Sequence, residues 1–310
     1  MASILTIGNF DGVHRGHRAL IDRARSLADQ HAQGPGDRPD VVALTFDPPP
    51  AALLKPDGLP PQLCTLGLRQ QRLLDAGADR VEVLPVTPEL LGLPPEGFID
   101  RLVQQHHPIA FVEGENFHFG KKRAGNMAWL ADYGRTRGFT AHTVPPVAAE
   151  LHDRHRLPVS SSLCRWLIGR GRVADAAQCL GDSPVLEAAV VRGEQRGRTL
   201  GIPTANLDPD ELDRRIIPTD GVYAGWAVID DDHTRLPAAI SIGVKPTFGV
   251  KQLTVEAHLP TYAGPEFYGS RLTLGFARWL RDQYPFPSLT ALTDQLHRDI
   301  EQSRIAFDAA

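Results

Sequence analysis

The sequence predicts two architectures in series: an α/β half built on a parallel sheet, then a small antiparallel β-barrel with a helix packed outside it. Three observations carry this. Strand-length apolar runs alternate with amphipathic helical stretches up to about residue 144, the rhythm of a parallel sheet covered on both faces and joined by right-handed crossovers. From about residue 185 the rhythm changes to short strands separated by turns, as in a small barrel. Finally, 289–305 carries Leu289, Leu292, Leu296 and Ile300 on one helical face, with Ser288 placed as its cap; this supplies one long closing helix.

The totals bound the function classes. A chain of 310 residues holds about two ordinary domains. With 42% hydrophobic and 23% charged residues it has a globular balance that excludes wholesale disorder. A formal charge of −4 leaves no electrostatic footprint for nucleic acid, so no such partner is expected. No apolar run reaches membrane-spanning length, and MASILTIGNF has neither a basic region nor a cleavage site. The expectation is a cytoplasmic protein without a membrane partner. Cys64, Cys164 and Cys179 are odd in number and lack a CxxC spacing, which indicates neither disulfides nor a zinc site.

Taken in order, the chain opens with LTIGNFDGVHRGH, 5–17. Leu5 and Ile7 read as a buried strand, and Gly8, Gly12 and Gly16 let the backbone bend and approach a ligand. His14 and His17 fall three apart where a helix begins, so they share a face. Free N–H groups at a helix start together with two imidazoles suit a phosphate chain. A solvated histidine pair has the same spacing; the preceding strand and the glycine-bracketed Asn9-Phe10-Asp11 turn favour the phosphate site.

Leu20, Ile21, Ala24, Leu27 and Ala28 then form one helical face, stopped by Gly34, Pro35 and Gly36. Strands are expected at 41–46, 81–86, 109–112 and 139–144, and helices at 68–76, 98–105 and 127–137. Ligands of such sheets bind beyond the carboxyl ends of the strands, so the loops after Ile7, Phe46 and Val112 are predicted to meet. The second of these is a proline-stiffened stretch, Thr45 to Pro50. The third, 114–125, offers Asn116 as an amide, and Phe117 and Phe119 as either an apolar wall or a core pair; Lys121, Lys122 and Arg123 read as a solvated run. Ser160, Ser161 and Ser162 open a helix carrying Arg165, a pattern that serves both capping and anion binding. A helix at 173–180 and the Gly181-Asp182-Ser183-Pro184 turn mark the expected boundary between domains 1–181 and 182–310.

In the second half, strands are expected at 187–192, 221–229, 238–242, 253–259 and 271–276. Gly193, Gly197, Arg198 and Gly201 make a flexible flap ending in Pro203-Thr204-Ala205-Asn206. The Thr204 hydroxyl and Asn206 amide are hard oxygen donors suited to magnesium on nucleotide phosphates. On 253–259, Leu253, Val255, Ala257 and Leu259 face one way, and Glu256 and His258 the other.

These motifs resemble a known family. The stretch GNFDGVHRGH is similar to the HxGH signature of the nucleotidylyltransferase superfamily and, in its longer form, to the adenylyltransferase module of bacterial riboflavin kinase/FAD synthetases. Thr45 to Pro50 resembles TFDPHP, with Pro49 in place of histidine, and GENFHFG matches a further segment. Val159 to Arg165 resembles ISSTxxR, with Ser162 for threonine and with Leu163 and Cys164 departing from the pattern. GRTLGIPTAN resembles the kinase signature GRxLGFPTAN, with Ile202 for phenylalanine; Gly221-Val222-Tyr223-Ala224, 242–248 (IGxxPTF) and VEAHL match as well.

The resemblance implies a Rossmann-like nucleotidylyltransferase domain followed by a riboflavin kinase barrel. The second would make FMN from riboflavin and ATP with magnesium, and the first would make FAD from FMN and ATP, FMN and FAD being substrate and product rather than prosthetic groups. It implies Glu256 as kinase base, His14, His17 and Arg165 as phosphate-stabilising catalytic groups, and Thr204 and Asn206 as metal ligands. It implies nucleotide and flavin binding by Gly8, Asn9, Phe10, Asp11, Gly12, Asn116, Phe117, Ser160, Ser161, Ser162, Gly193, Gly197, Arg198, Gly201, Pro203 and Tyr223. Two alternatives stay open: the kinase activity alone, and a non-catalytic flavin- or nucleotide-binding regulator.

Overall fold

The computed structural model describes every residue except Met1, Gln33, Pro35, Glu194, Gln195, Asp231, His233, Phe248, Gly249, Ala309 and Ala310. Pro35 of the expected helix stop and Phe248 of the IGxxPTF match therefore lie outside the described residues. The chain divides into two compact units. The first comprises Met1–Pro60, Thr65–Ala149 and Arg156–Ser160; the second comprises Pro61–Cys64, Glu150–His155 and Ser161–Ala310.

The first unit runs β1 (Ser3–Gly8), α1 (Arg15–His31), β2 (Asp40–Asp47), α2 (Leu66–Asp75), β3 (Arg80–Pro85), α3 (Pro95–His106), β4 (Pro108–Gly114), α4 (Met127–Arg137) and β5 (Thr140–Val144). The strands form one parallel sheet in the order β3-β2-β1-β4-β5. Continuous apolar strands are what such a sheet requires, because alternate residues go to opposite covered faces. Ile4, Val41, Ala43, Ala110 and Val112 meet Leu20, Ile21, Ala24, Leu27 and Ala28 of α1. Their neighbours Leu5, Ile7, Val42, Leu44 and Phe111 meet Phe98, Ile99 and Leu102 of α3 and Leu130 of α4. Capping fixes the helix starts: Thr65 Oγ1 accepts from Leu68 N, and Asn126 Oδ1 accepts from Trp129 N at 2.9 Å. Strand order reverses between β1 and β4, which places the topological switch point beyond their carboxyl ends.

The second unit contains α5 (Ser161–Gly169), α6 (Val173–Leu180), β6 (Val185–Val191), β7 (Ala205–Leu207), β8 (Gly221–Ile229), β9 (Leu236–Thr247), β10 (Val250–His258), β11 (Arg271–Arg281) and α7 (Leu289–Asp308). Its strands close an antiparallel barrel in the order β6-β7-β10-β9-β8-β11. Inside lie Tyr223, Ile240, Ile242, Val255, Ala257, Leu272, Leu274 and Phe276, and Val173 of α6 joins that cluster. By packing, then, α5 and α6 count with the barrel, although the sequence expectation put them before the boundary at 181/182. Residues 61–64 are likewise clipped onto this unit: Gln62 N donates to Arg214 O at 2.6 Å, Ile216 N to Gln62 O at 2.9 Å, and Arg215 Nη1 to Gln62 Oε1 at 2.6 Å.

Two expectations need correction. Leu289, expected to share one face of α7 with Leu292, Leu296 and Ile300, is 64% exposed, and the fully buried residues of that helix are Asp299 and Ser303. Asp299 takes a forked ion pair from Arg281 of β11, with Nη2 to Oδ2 at 2.7 Å, while Leu292, Leu296 and Ile300 line a cavity. The helix is thus tied by a charge pair, and its apolar stripe faces the cavity. Tyr223, expected among the binding residues, is fully buried in the barrel, edge-on to Phe276 at 5.4 Å, and its hydroxyl donates to Thr219 O at 2.6 Å. It is a core side chain.

Candidate active sites

At the switch point of the first unit, α1 begins at Arg15, so His14 takes the N-cap position, and its Nδ1 accepts from His17 N at 3.3 Å. With Nδ1 accepting, the neutral His14 ring carries its proton on Nε2. The His14 and His17 rings stack at 3.6 Å with 16° between their planes. Gly16 makes room for that stack: a Cβ there would come within 3.1 Å of the His14 ring. Burial first, then the charges of His14 and Arg69, hold the His17 pKa well below its ordinary value. The ring is therefore neutral at neutral pH, suited to hydrogen-bond a phosphate oxygen. Phe10 is 1% exposed and packs edge-on against His17 at 5.1 Å, so it props the histidine. Gly8 ends β1, Asn9 is exposed, and Asp11 and Gly12 are buried in the turn.

Sequence reasoning passed over the floor of this turn. Thr45 Oγ1 at the end of β2 donates to Asn9 O at 3.2 Å and accepts from Arg69 Nη1 at 3.3 Å. Arg69 read as one more polar residue on an amphipathic helix, and no motif marks it. On the adjacent strand, the β1–β4 ladder stops at Leu5 opposite Phe111. The side chain of Glu113, 1% exposed, takes over there, with Oε1 accepting from Ile7 N at 2.7 Å. Burial pushes the Glu113 carboxyl well above its ordinary pKa, against the pull of the Ile7 N–H.

The sign of the linkage follows. Between the ordinary carboxyl value and the raised one, the folded protein holds a proton that the unfolded chain has lost. Stability is therefore full below that window and falls as pH rises through it, by up to about 1.4 kcal/mol per unit. Glu113→Gln keeps an acceptor for Ile7 N and removes the slope. Its advantage over wild type in chemical denaturation should grow steadily upward from about pH 5. Parallel stability curves for the two proteins would sink this account.

In the loop after β4, Asn116 is exposed, and Phe117 is half-buried and stacked on the buried Phe119 at 5.3 Å. The Phe117–Phe119 alternatives therefore resolve into one supporting ring and one partly open ring. Lys121, Lys122 and Arg123 are exposed. Ser160 belongs to the first unit, whereas Ser161, Ser162 and Arg165 belong to the second, where Arg165 Nε donates to Pro61 O at 2.6 Å.

The second unit holds two cavities that share Thr204 as a wall. One, of about 390 Å³, is lined by Arg198, Pro203, Tyr262, Glu266, Phe267 and Tyr268 among others. The other, of about 340 Å³, is lined by Glu256, His258, Ser241, Tyr284, Phe286, Leu292 and Leu296 among others. Strand alternation on β10 sends Val255 and Ala257 into the core and leaves Glu256 and His258 on the cavity side. Thr204 Oγ1 donates to Glu256 Oε2 at 3.1 Å, and Asn206 pairs with Glu256 across the β7–β10 ladder.

Gly193 lies against the Asn206 amide, where a Cβ would fall 2.5 Å from Nδ2. Gly197 lines the second cavity, and Gly201 turns with φ +72° beside it in sequence. Arg198 pairs with Glu266 and with Tyr268 Oη (3.1 Å) at the rim of the first cavity. His258 Nδ1 donates to Pro203 O at 2.8 Å, so it anchors the Pro203-Thr204 turn. Of the expected groups, Arg198, Pro203 and Thr204 line the first cavity and Gly197, Thr204 and Glu256 the second, whereas Tyr223 lies in the barrel core. The aromatic and helical walls of the second cavity, Tyr284, Phe286 and the α7 stripe, carried no motif.

Comparison with known proteins agrees with this geometry. Residues 1–162 match the family model for FAD synthetase, and 180–307 match that for riboflavin kinase. The bifunctional riboflavin kinase/FMN adenylyltransferase of Pseudomonas fluorescens is 34% identical over 97% of this chain and 92% of its own length. That of Listeria monocytogenes is 31% identical over 98% and 92%. A crystal structure described as a macrolide-efflux protein from Streptococcus pneumoniae superposes with TM-score 0.84 at 28% identity, covering 98% of this chain and 94% of that one. Among the described residues, no helix is long and apolar enough to cross a membrane. With a parallel-sheet unit bearing a stacked histidine pair, a barrel bearing Thr204, Asn206 and Glu256, and both family models matched in that order, the chain belongs to the bifunctional riboflavin kinase/FMN adenylyltransferase family.

Proposed function

We propose that the two transferase activities of this family divide along the chain, with FMN adenylylation in 1–181 and riboflavin phosphorylation in 182–310, in the cytoplasm and with ATP as donor for both. The observation that carries the kinase assignment is that Thr204, which walls both cavities, donates to Glu256 of the second, with Asn206 paired to Glu256 across the β7–β10 ladder. The cavity between aromatic rings and the apolar stripe of α7 suits a flat flavin ring; the one rimmed by Arg198 suits a nucleotide. A ribityl hydroxyl and a γ-phosphate would then meet at Glu256, which takes the hydroxyl proton as the P–O bond forms.

The two neutral oxygens of Thr204 and Asn206 fit magnesium, which keeps water and phosphate among its ligands. Thr204 and Asn206 would hold it, and when bound it neutralises phosphate charge. Among the described residues no cluster of three or more His, Cys, Asp or Glu stands ready for a metal, which favours an ion that arrives with the nucleotide.

In the adenylylation half the FMN phosphate is already anionic and attacks the α-phosphorus of ATP with pyrophosphate leaving, so no strong base is needed. His14 and His17 stabilise the phosphates. Incubation with riboflavin, ATP and magnesium followed by chromatography tests the reading. FMN and FAD both accumulate if it holds; FMN alone would leave one working half, and neither product would leave a binding protein.

A further inference from the structure

Arg69 is the largest fully buried side chain among the described residues, 2% exposed. Its Nη1 reaches Thr45 Oγ1 and, at 3.0 Å, Phe46 O, while its Nε is buried without a hydrogen-bond partner among the described residues. No carboxylate of the described residues forms an ion pair with it; its Nη1 contacts are a hydroxyl and a carbonyl. A guanidinium cannot shed its proton, so this is a permanent buried charge with no ion-pair partner among the described residues. Such an arrangement costs several kcal/mol unless an anion answers it.

Its surroundings say where that anion belongs. Through Thr45 the guanidinium holds Asn9 O, at one end of the turn that leads into the His14–His17 stack. One helical turn on, Arg72 Nη1 lies 3.4 Å from Gly12 O at the other end. Helix α2 thus puts two arginines beneath the Gly8–Val13 turn. His17, which the Arg69 charge reaches, also has a buried Nδ1 without a partner among the described residues.

We propose that Arg69 is a positioning residue for adenylyl transfer: a fixed charge, left uncompensated by the protein, whose counter-ion is the polyphosphate of the bound nucleotide, and which holds the phosphate-binding turn through Thr45. The proposal rests on the adenylylation reading of this half. It explains why an arginine is kept where a leucine would pack, and it adds a cation that the HxGH motif does not contain.

The test measures FAD formation from FMN with ATP varied, and the rise in melting temperature caused by inorganic tripolyphosphate, in wild type, Arg69→Met and Arg69→Lys. Arg69→Met should raise the KM for ATP about ten- to a hundredfold, the usual worth of a charged hydrogen bond, with kcat changed less. The same variant without ligand should melt no lower than wild type, since a methionine removes an unpaid buried charge, and should lose much of the tripolyphosphate shift. Arg69→Lys should restore most of both effects.

An ATP KM within about twofold of wild type together with an unchanged tripolyphosphate shift in Arg69→Met would overturn the proposal. So would a lysine variant as impaired as the methionine one, which would make Arg69 a packing buttress. If Arg69→Met does not fold, Arg69→Lys decides: a near-normal KM supports the charge and a raised one refutes it. If wild type makes no FAD at all, the adenylylation reading fails by itself, and the tripolyphosphate shifts still judge Arg69.

Discussion

Replacing Glu256 by glutamine is expected to lower riboflavin phosphorylation about 10²- to 10⁴-fold, the share of a general base, or about 3 to 5 kcal/mol of barrier. FMN-to-FAD conversion and flavin binding should stay at wild-type levels. Glutamine has nearly the shape of glutamate and still offers an oxygen to the Thr204 hydroxyl, so the β7–β10 junction should survive. What it cannot do is take the ribityl hydroxyl proton. Steady-state kinetics, with riboflavin affinity read by fluorescence quenching, decide the matter. A rate within about threefold of wild type would return Glu256 to the status of a strand side chain. His258 is a poor substitute as base, because its Nδ1 is engaged with Pro203 O and burial lowers its pKa.

The complementary loss is expected at the other end of the chain. His14→Ala should reduce FAD formation from FMN about 10²- to 10³-fold, the usual effect of removing one donor to a developing oxyanion, and leave riboflavin phosphorylation near wild type. Because His14 also caps α1, alanine should cost about 0.5–2 kcal/mol of stability as well. His14→Asn separates the two effects, since asparagine is among the best N-caps and supplies no imidazole. It should keep the stability and lose the activity. Recovery of FAD formation in His14→Asn would mean that the histidine matters only as a cap. Equal loss of both activities in a folded His14→Ala would argue against separate sites.

Much of this was legible in the sequence, for reasons particular residues make plain. Helix α4 and strand β8 have the boundaries expected from the pattern, because Asn126, Gly138 and the turn before Gly221 are strong local signals. The histidine stack follows from a three-residue spacing at a helix start, and the Glu256 face from strand alternation. Strand β7 was hidden inside the GRTLGIPTAN motif, since three residues are too few to show a period. The α7 face was misjudged because a stripe built to line a cavity has the same spacing as one built to fill a core. Tyr223 sits in a motif that reads as a binding element, yet its strand parity points it inward. Arg69 and Glu113 were invisible for a common reason: a buried charge is defined by what surrounds it in three dimensions, and spacing carries no trace of that.

Residues 61–64 belong by sequence to the half matched by FAD synthetase and by packing to the barrel unit, where Gln62 is bonded on both sides to the 214–216 segment. The polypeptide therefore passes from one unit to the other more than once before it reaches α5. No single cut can sort all of its segments by unit. Severing the chain at residue 160 or at 181 leaves the barrel without the short piece that covers Arg215, and leaves the other product with an unpaired tail in its second loop. A barrel fragment made by either cut lacks the Gln62 hydrogen bonds to Arg214, Arg215 and Ile216.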